Sequence, residues 1–460
     1  MDGDDLAAAL SRILPAACIS RRPEDLRAVA RDESDLPGVL PVCRCRPETT
    51  EQVAAVIRLA AARGVPVTAR GGGSGLEGGA IPSAGGLVLD LSAMDRVLEV
   101  SPEERLVRVQ PGVVHDRLNR LVGGHGLFFP PSPGGSGDMA TIGGMVSTDA
   151  SGIYALRHGG TRRWVRGIEV VTGTGDVMRV GGRVPKSSAG YDLKSLFIGS
   201  EGTLGILTEV TLGLEPVPPE SARIALAFPG IEEACRAAAE MAGYVPEAAA
   251  VEIVDRETMG LLRGLPGLQD VPEAHLLMVE TQGRREDCAA GMESVRDIAA
   301  GHQGTVVTGT GDPWALRHRL TRTIRETSAP GGVVRTDCAV PLPALATFVR
   351  EAKAAGGFPG DVLAPGPRRV YVFGHGGVGI VHCLLPLGGP GAWTPGEARA
   401  ARTAIAARAV ALGGTVSGEH GIGIGQREVL AQEHPHGVAW MRRLKALFDP
   451  HGILNPGKVL

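Results

Sequence analysis

Two strings late in the sequence carry residue types and spacings suited to metal-assisted proton chemistry: FGHGGVGIVHC (Phe373 to Cys383) and SGEHGIGIGQRE (Ser417 to Glu428). His375 and His382 stand seven positions apart among glycines that forbid a stable helix, so they belong to a loop entering the strand GIVHCLL. Such a loop brings both imidazoles to one point. Glu419 completes a set of two imidazoles and one carboxylate with an open position, the usual pattern of a catalytic zinc, and His420 is left over. The plain alternative is a pair of histidines satisfied within turns.

A second pattern is cationic. WALRHRLTRTIRE (Trp314 to Glu326) reads as a helix on which Arg317 and Thr321 are i and i+4, and the strand-like GVVRTDCAVPL (Gly332 to Leu342) follows with Arg335. Together the three residues suit a grip on a carboxylate, although a solvated basic helix face reads the same way.

A third pattern is RGGGSGLEGGAIP, which matches G-x-G-x-x-G at Gly73, Gly75 and Gly78 after a strand. The dinucleotide fingerprint also needs a helix opening inside the motif, and here Pro82, Ser83, Gly85 and Gly86 lead instead to the strand GLVLDL. An NAD site is therefore disfavoured. What remains is a loop whose N–H groups approach an anion closely because no Cβ intervenes, or else a surface turn in a glycine-rich chain. Indeed 67 of 460 residues are glycine, about twice the usual share.

The elements that must position these groups are legible in outline. Residues 38 to 91 read as strand, helix, strand, glycine turn, strand, the helix capped by Thr49 or Thr50 and ended by Gly64. From Arg96 to Gly182 the pattern is short strands and tight turns with little helix, including a hairpin at Gly175 and Asp176. LEPVPPES (Leu214 to Ser221) concentrates proline between two apolar strands and reads as a domain boundary. Beyond it strands alternate with helices from about Ile231 to Gly243 and from about Arg285 to Gly301, as in an open sheet with helices on one face. FDPHGILNPGKVL must pack on something already folded.

Composition bounds the rest. With 47 basic and 50 acidic side chains the formal charge is −3, and no long run of like charge offers a surface for nucleic acid. No stretch is apolar enough to span a bilayer and the N-terminus is acidic, which reads as a cytoplasmic protein. The seven cysteines are scattered, without a CxxC pair, and read as buried thiols.

The segments PPSPGGSGDMATIGGMVSTDASG (Pro130 to Gly152) and GYDLKSLFIGSEGTLGILTEVTL (Gly190 to Leu212) are dense in small residues, which lets backbone line a flat aromatic ligand. With the glycine loop and the two histidine strings, from about Val39 to Lys458, their order and wording resemble the vanillyl-alcohol oxidase and p-cresol methylhydroxylase superfamily. Within it they resemble the D-lactate, glycolate and D-2-hydroxyglutarate dehydrogenases. The resemblance implies an α+β fold: a two-subdomain FAD-binding domain of the p-cresol methylhydroxylase type with an α+β ferredoxin-like cap domain. Expected boundaries are 1–37 for an N-terminal segment, 38–215 for the FAD domain, 216–415 for the cap, and 416–460 for a C-terminal segment that carries the Glu-His pair.

By the same resemblance, FAD is bound non-covalently. Arg70, Gly71, Gly72, Gly73, Ser74, Gly75, Leu76, Gly78 and Gly79 take the pyrophosphate. Pro133, Gly134, Ser136, Thr141, Gly143, Gly144, Ser147 and Ser151 run along the isoalloxazine and ribityl chain, and Glu201, Gly202, Gly205 and Ile206 complete the adenine side. His375, His382 and Glu419 bind a divalent metal, taken as zinc, His420 is the base, and Arg317, Thr321 and Arg335 hold the substrate. The implied reaction is oxidation of a small 2-hydroxy acid, D-configured, to the 2-oxo acid with a quinone, an electron-transfer protein or oxygen as acceptor. A homodimer is left open. Three departures stand out: Asp149 where relatives read Asn, and Val378 and Ile380 where they read Asp and Asn. The apolar pair keeps alive a specialised flavin enzyme for another alcohol or an amine. A zinc hydrolase would leave the first 210 residues unused, and the triple-histidine string of the alkylglycerone-phosphate synthases is absent.

Overall fold

The computed structural model describes residues 3–262, 272–308, 314, 317, 319–354, 368–389 and 391–460. The chain forms two compact units, one of residues 1–150, 160–217 and 420–460 and one of residues 151–159 and 218–419. The first divide lies two residues beyond the expected 215/216, inside the proline-rich segment. The other falls between Glu419 and His420 rather than at 415/416, because Thr415 and Ser417 bridge to Ala339 and Asp337 of the second unit. Residues 151–159 join that unit through Arg157, whose Nη1 donates to the Gln282 carbonyl at 2.9 Å.

The first unit holds two larger sheets and one short two-stranded pair. In one, β1 (Ile19–Ser20), β2 (Cys43–Cys45), β3 (Val67–Arg70) and β4 (Leu87–Asp90) lie in the order β1-β2-β4-β3, with β4 parallel to both β2 and β3. Its helix, Thr50–Arg63, starts where Thr49 accepts the Gln52 N–H and stops at Gly64, whose φ of 61° suits a residue without Cβ. Val53, Val56 and Ile57 pack beneath it on Val67 and Leu89. Parallel neighbours usually need a helical crossover. Here β3 and β4 are joined by residues 71–86, which contain no helix.

The other sheet is antiparallel, β5-β6-β10-β8-β9, from β5 (Val97–Ser101), β6 (Leu106–Val109), β8 (Val165–Val171), β9 (Val177–Gly181) and β10 (Ile206–Gly213); a short pair joins β7 (Leu127–Phe128) to β11 (Glu215–Pro216). The expectation of little helix between Arg96 and Gly182 is corrected: His115–Gly123 and Ile142–Thr148 are helical. The second contains Gly143 and Gly144, yet the Thr141 hydroxyl accepts the Gly144 N–H and buried Ile142, Met145 and Val146 pay back the glycine entropy. The terminal segment docks beside β3, where Asn455 accepts the Ala69 N–H and donates to the Glu201 carbonyl.

The second unit is built on one antiparallel sheet in the order β15-β12-β14-β13-β17-β18-β16. Its strands are β12 (Glu220–Phe228), β13 (Ala248–Val254), β14 (His275–Gly283), β15 (Thr305–Val306), β16 (Val333–Ala339), β17 (Tyr371–Gly374) and β18 (Ile380–Pro386). Helices Ile231–Tyr244 and Arg285–Gly301 pack against it, at the places the apolar periodicity marked. Of the expected helix from Trp314 to Glu326, Trp314 and Arg317 are helical and the helix Leu320–Thr327 follows after a turn at Arg319, while residues 315, 316 and 318 lie outside the described residues. All seven cysteines are free and buried, and among the described residues no helix is long and apolar enough to cross a membrane.

Candidate functional site

In the second unit, adjacent strands converge on three donor atoms. His375 leaves β17 and enters a 3₁₀ turn, Gly376–Val378, that closes at Gly379 with φ 72°; β18 then carries His382. A Cβ at Gly379 would stand 2.1 Å from the Val340 carbonyl oxygen, so both the backbone angle and the space demand glycine there. His382 is the register partner of Asp337 on β16 and of Phe373 on β17. Asp337 in turn accepts the Ser417 hydroxyl at 3.0 Å and the Glu419 N–H at 2.8 Å, which fixes Glu419 beside the strand ends.

The geometry that results is specific. Nε2 of His375 and Nε2 of His382 lie 3.1 and 3.3 Å from the same oxygen, Oε1 of Glu419. Donors around a tetrahedral zinc, with bonds of about 2.0–2.1 Å, stand about 3.3 Å apart. Each Nδ1 faces its own carboxylate: Glu252 Oε1 at 2.7 Å for His375, Asp337 Oδ1 at 3.4 Å for His382. The carboxylate hydrogen-bonded to His375 Nδ1 fixes the tautomer that points the Nε2 lone pair of His375 at a cation. The donor set therefore fits a divalent metal. Asp337, His382 and Glu419 also offer ligand atoms within 4.8 Å of one another.

Electrostatics agree. Burial disfavours charge on His375, but Glu252 and Glu419 outweigh it and push its pKa up to about 10; His382 is raised in the same sense by Asp337 and Glu419. Glu419, despite burial, is held well below the carboxylate range by the two histidines. With protons on the imidazoles the cluster is a set of ion pairs, and a divalent cation bound there would have to displace those protons.

Of the expected substrate residues, Arg317 is buried, donates from Nε to Glu252 and lies over the Phe373 ring at 5.1 Å. Thr321 is half-buried on Leu320–Thr327, and Arg335 is buried on β16 opposite Leu384. Ser151, expected along the flavin, donates to Glu419 Oε2 at 2.8 Å in the second unit. His420 follows Glu419 directly in the chain and opens the last stretch of the first unit.

In the first unit the expected cofactor segments meet. A Cβ on Gly72 would lie 1.9 Å from the Met139 carbonyl oxygen and one on Gly71 2.2 Å from Thr141 Oγ1, so the glycine loop rests directly on the 139–144 segment. Gly73 and Gly78 have φ of 74° and 79°. Arg70 sits against Gly73 and donates to the Arg31 carbonyl at 2.7 Å. Ser147 accepts the Glu201 N–H through its carbonyl at 2.8 Å, which joins the second and third segments. At Gly75, Gly79 and Gly134 an added Cβ would meet no chain atom nearer than 3.5 Å, so backbone there stays approachable. Gln426, 1 % exposed, has neither carboxamide atom hydrogen-bonded. Approachable amides and a buried carboxamide that still needs partners fit a polar cofactor such as FAD.

The Glu201 side chain accepts the Ile422 and Gly423 N–H groups at 2.6 and 2.8 Å. Asp149 caps Ile142–Thr148 in the left-handed region and pairs with Arg162 Nε at 2.7 Å, so the charge that replaces a neutral amide has a dedicated partner. Sequence reasoning missed Glu252, Asp337 and Gln426. A signal existed for the first, a lone acid inside the apolar run AAAVEIV, and for the second, which shares a strand face with Arg335.

Residues 41–181 match the FAD binding domain family model and residues 217–459 the model for FAD linked oxidases, C-terminal domain. The glycolate oxidase subunit GlcD of Bacillus subtilis is 33 % identical over 90 % of this chain and 87 % of its own length. A D-lactate dehydrogenase of Archaeoglobus fulgidus is 34 % identical over 90 % of each chain, and the mitochondrial D-2-hydroxyglutarate dehydrogenase of Bos taurus 34 % identical over 99 % of this chain and 83 % of its own. In fold, p-cresol methylhydroxylase superposes with a TM-score of 0.78 at 18 % identity, over 100 % of this chain and 96 % of that one. The molecule is thus an FAD-linked oxidoreductase of mixed helix and sheet. Within that class the chain belongs to the FAD-linked oxidases, alongside the D-lactate, glycolate and D-2-hydroxyglutarate dehydrogenases.

Proposed function

We propose that this protein oxidises a small D-2-hydroxy acid to the 2-oxo acid, with a divalent metal, taken as zinc, assisting at the hydroxyl. The convergence of His375, His382 and Glu419 on one point, with Arg317 tied to the same cluster, carries this reading. The glycine segments would hold FAD, which would supply the acceptor for the hydride leaving Cα. His375, His382 and Glu419 would hold a divalent cation, which would supply Lewis acidity to the substrate hydroxyl. The chain's own residues do the rest: Arg317, Thr321 and Arg335 anchor the carboxylate and orient Cα, and His420 takes the hydroxyl proton on a ring nitrogen. The acceptor that reoxidises the flavin is a quinone, an electron-transfer protein or oxygen.

Anaerobic titration of the flavin absorbance with D- and L-lactate, D-2-hydroxyglutarate and glycolate tests this, run on the native protein and on His420→Asn. The native flavin is expected to bleach with a D-acid, and His420→Asn to keep its flavin but reduce it about 10²–10⁴-fold more slowly. Bleaching by none of these acids overturns the reading. Apolar Val378 and Ile380 favour a second one, a flavin oxidase or dehydrogenase for another alcohol or an amine, which rapid bleaching by any of the four would exclude.

A further inference from the structure

Glu252 is an acid in the middle of β13, a strand whose seven residues are all buried. A carboxylate fully removed from water survives only if it is paired, and Glu252 divides its two oxygens between two partners. Oε1 stands 2.7 Å from Nδ1 of His375, and Oε2 accepts the Arg317 Nε–H. Arg317 engages it through Nε rather than through its pair of terminal nitrogens, with the guanidinium over Phe373. One acid thus touches a proposed metal ligand and a proposed carboxylate anchor that lie 58 positions apart in the chain, His375 and Arg317.

We propose that Glu252 is a positioning residue that links the metal-binding half of the site to the substrate-anchoring half. One oxygen fixes the His375 ring so that Nε2 faces Glu419; the other fixes the Arg317 fork toward a substrate carboxylate. The inference rests on the reading above, in which His375 binds metal and Arg317 binds substrate. The chemistry selects glutamate. An imidazole that ligates through Nε2 carries its hydrogen on Nδ1, and arginine is always a donor, so the group between them must accept twice. Glutamine has a single acceptor oxygen and would turn its amide hydrogens on one of the two donors.

The test uses FAD-loaded Glu252→Gln beside the native protein. Zn²⁺ affinity is read by competition with a chromophoric chelator, and the half-saturating D-lactate concentration by flavin reduction. The expected result is a Zn²⁺ affinity about 10–100-fold weaker together with a D-lactate requirement raised at least about tenfold, while flavin content stays at the native level. A merely structural glutamate would lower thermal stability and leave both readouts in place. Should the Gln chain not accumulate as folded flavoprotein, Glu252→Asp is the second variant. Its two acceptors sit on a stem one methylene shorter and reach His375 or Arg317 but not both, so at least one readout moves by the same factor. Native Zn²⁺ affinity and native D-lactate requirement in the variants overturn the link alone. A native protein that takes up no Zn²⁺ overturns the metal reading and the link with it.

Discussion

At the scale of single residues, the buried ionisable groups sort into those held charged by a partner and those that burial works against. Glu252 and Glu419 are of the first kind, each facing cationic partners. Glu201 is of the second: burial raises its pKa to about 7, against the opposing pull of the Ile422 and Gly423 N–H groups and of Lys458. An acid whose folded pKa exceeds its unfolded value of 4.5 adds stability that is fully present below 4.5 and lost as pH rises through about 7. Glu201→Gln imitates the protonated acid and escapes that loss. The stability of the variant relative to the native protein should therefore improve by about 2 kcal/mol between pH 5.5 and pH 8.5. Denaturant unfolding followed by release of flavin fluorescence checks it, and a difference that is flat with pH would show that Glu201 is ionised throughout.

At the scale of elements, the crossover between β3 and β4 concentrates the constraint. Gly72 has no room for a Cβ, because the obstacle 1.9 Å away is the Met139 carbonyl oxygen, a backbone atom that cannot rotate aside. Gly72→Ala should force the loop off the 139–144 segment and weaken FAD binding at least about tenfold, since ~1.4 kcal/mol of lost contact is a tenfold change. Gly64→Ala is the internal control: its φ is 61° but an added Cβ meets nothing within 4 Å. It should cost about 1 kcal/mol of stability and leave FAD affinity alone. Reconstitution of both apoproteins with FAD, followed by flavin fluorescence quenching, separates the two effects.

At the scale of the whole molecule, the expected FAD segments, Ser151 apart, belong to one unit, and the proposed metal donors His375, His382 and Glu419 to the other. Chelation should accordingly strip the metal and leave the flavin. The stripped protein is expected to keep its full flavin absorbance while its reduction by the substrate acid slows about 10²-fold or more, several kcal/mol of charge stabilisation having been removed. Stopped-flow reduction before and after chelation, and again after added Zn²⁺, measures this; flavin loss in step with metal loss would contradict it.

The sequence by itself determined the chemistry available. The order of the glycine loop, the small-residue segments and the two histidine strings was legible, as were Thr49 and Gly64 at the ends of a helix and the missing helix after Gly79, because each depends on residues close together in the chain. It also fixed the adjacency of Glu419 and His420. The helix Ile142–Thr148 was not legible, since its glycines argue against it and only Thr141 and tertiary burial override them. Nor were Glu252 and Asp337: periodicity says which face of a strand a side chain occupies, not which histidine lies opposite. That was decided by the register of β16, β17 and β18 and by the placement of β13 beside β17, pairings between residues separated by up to more than a hundred positions. Only there do a lone acid in an apolar strand, a histidine at a turn and a helical arginine become one cluster.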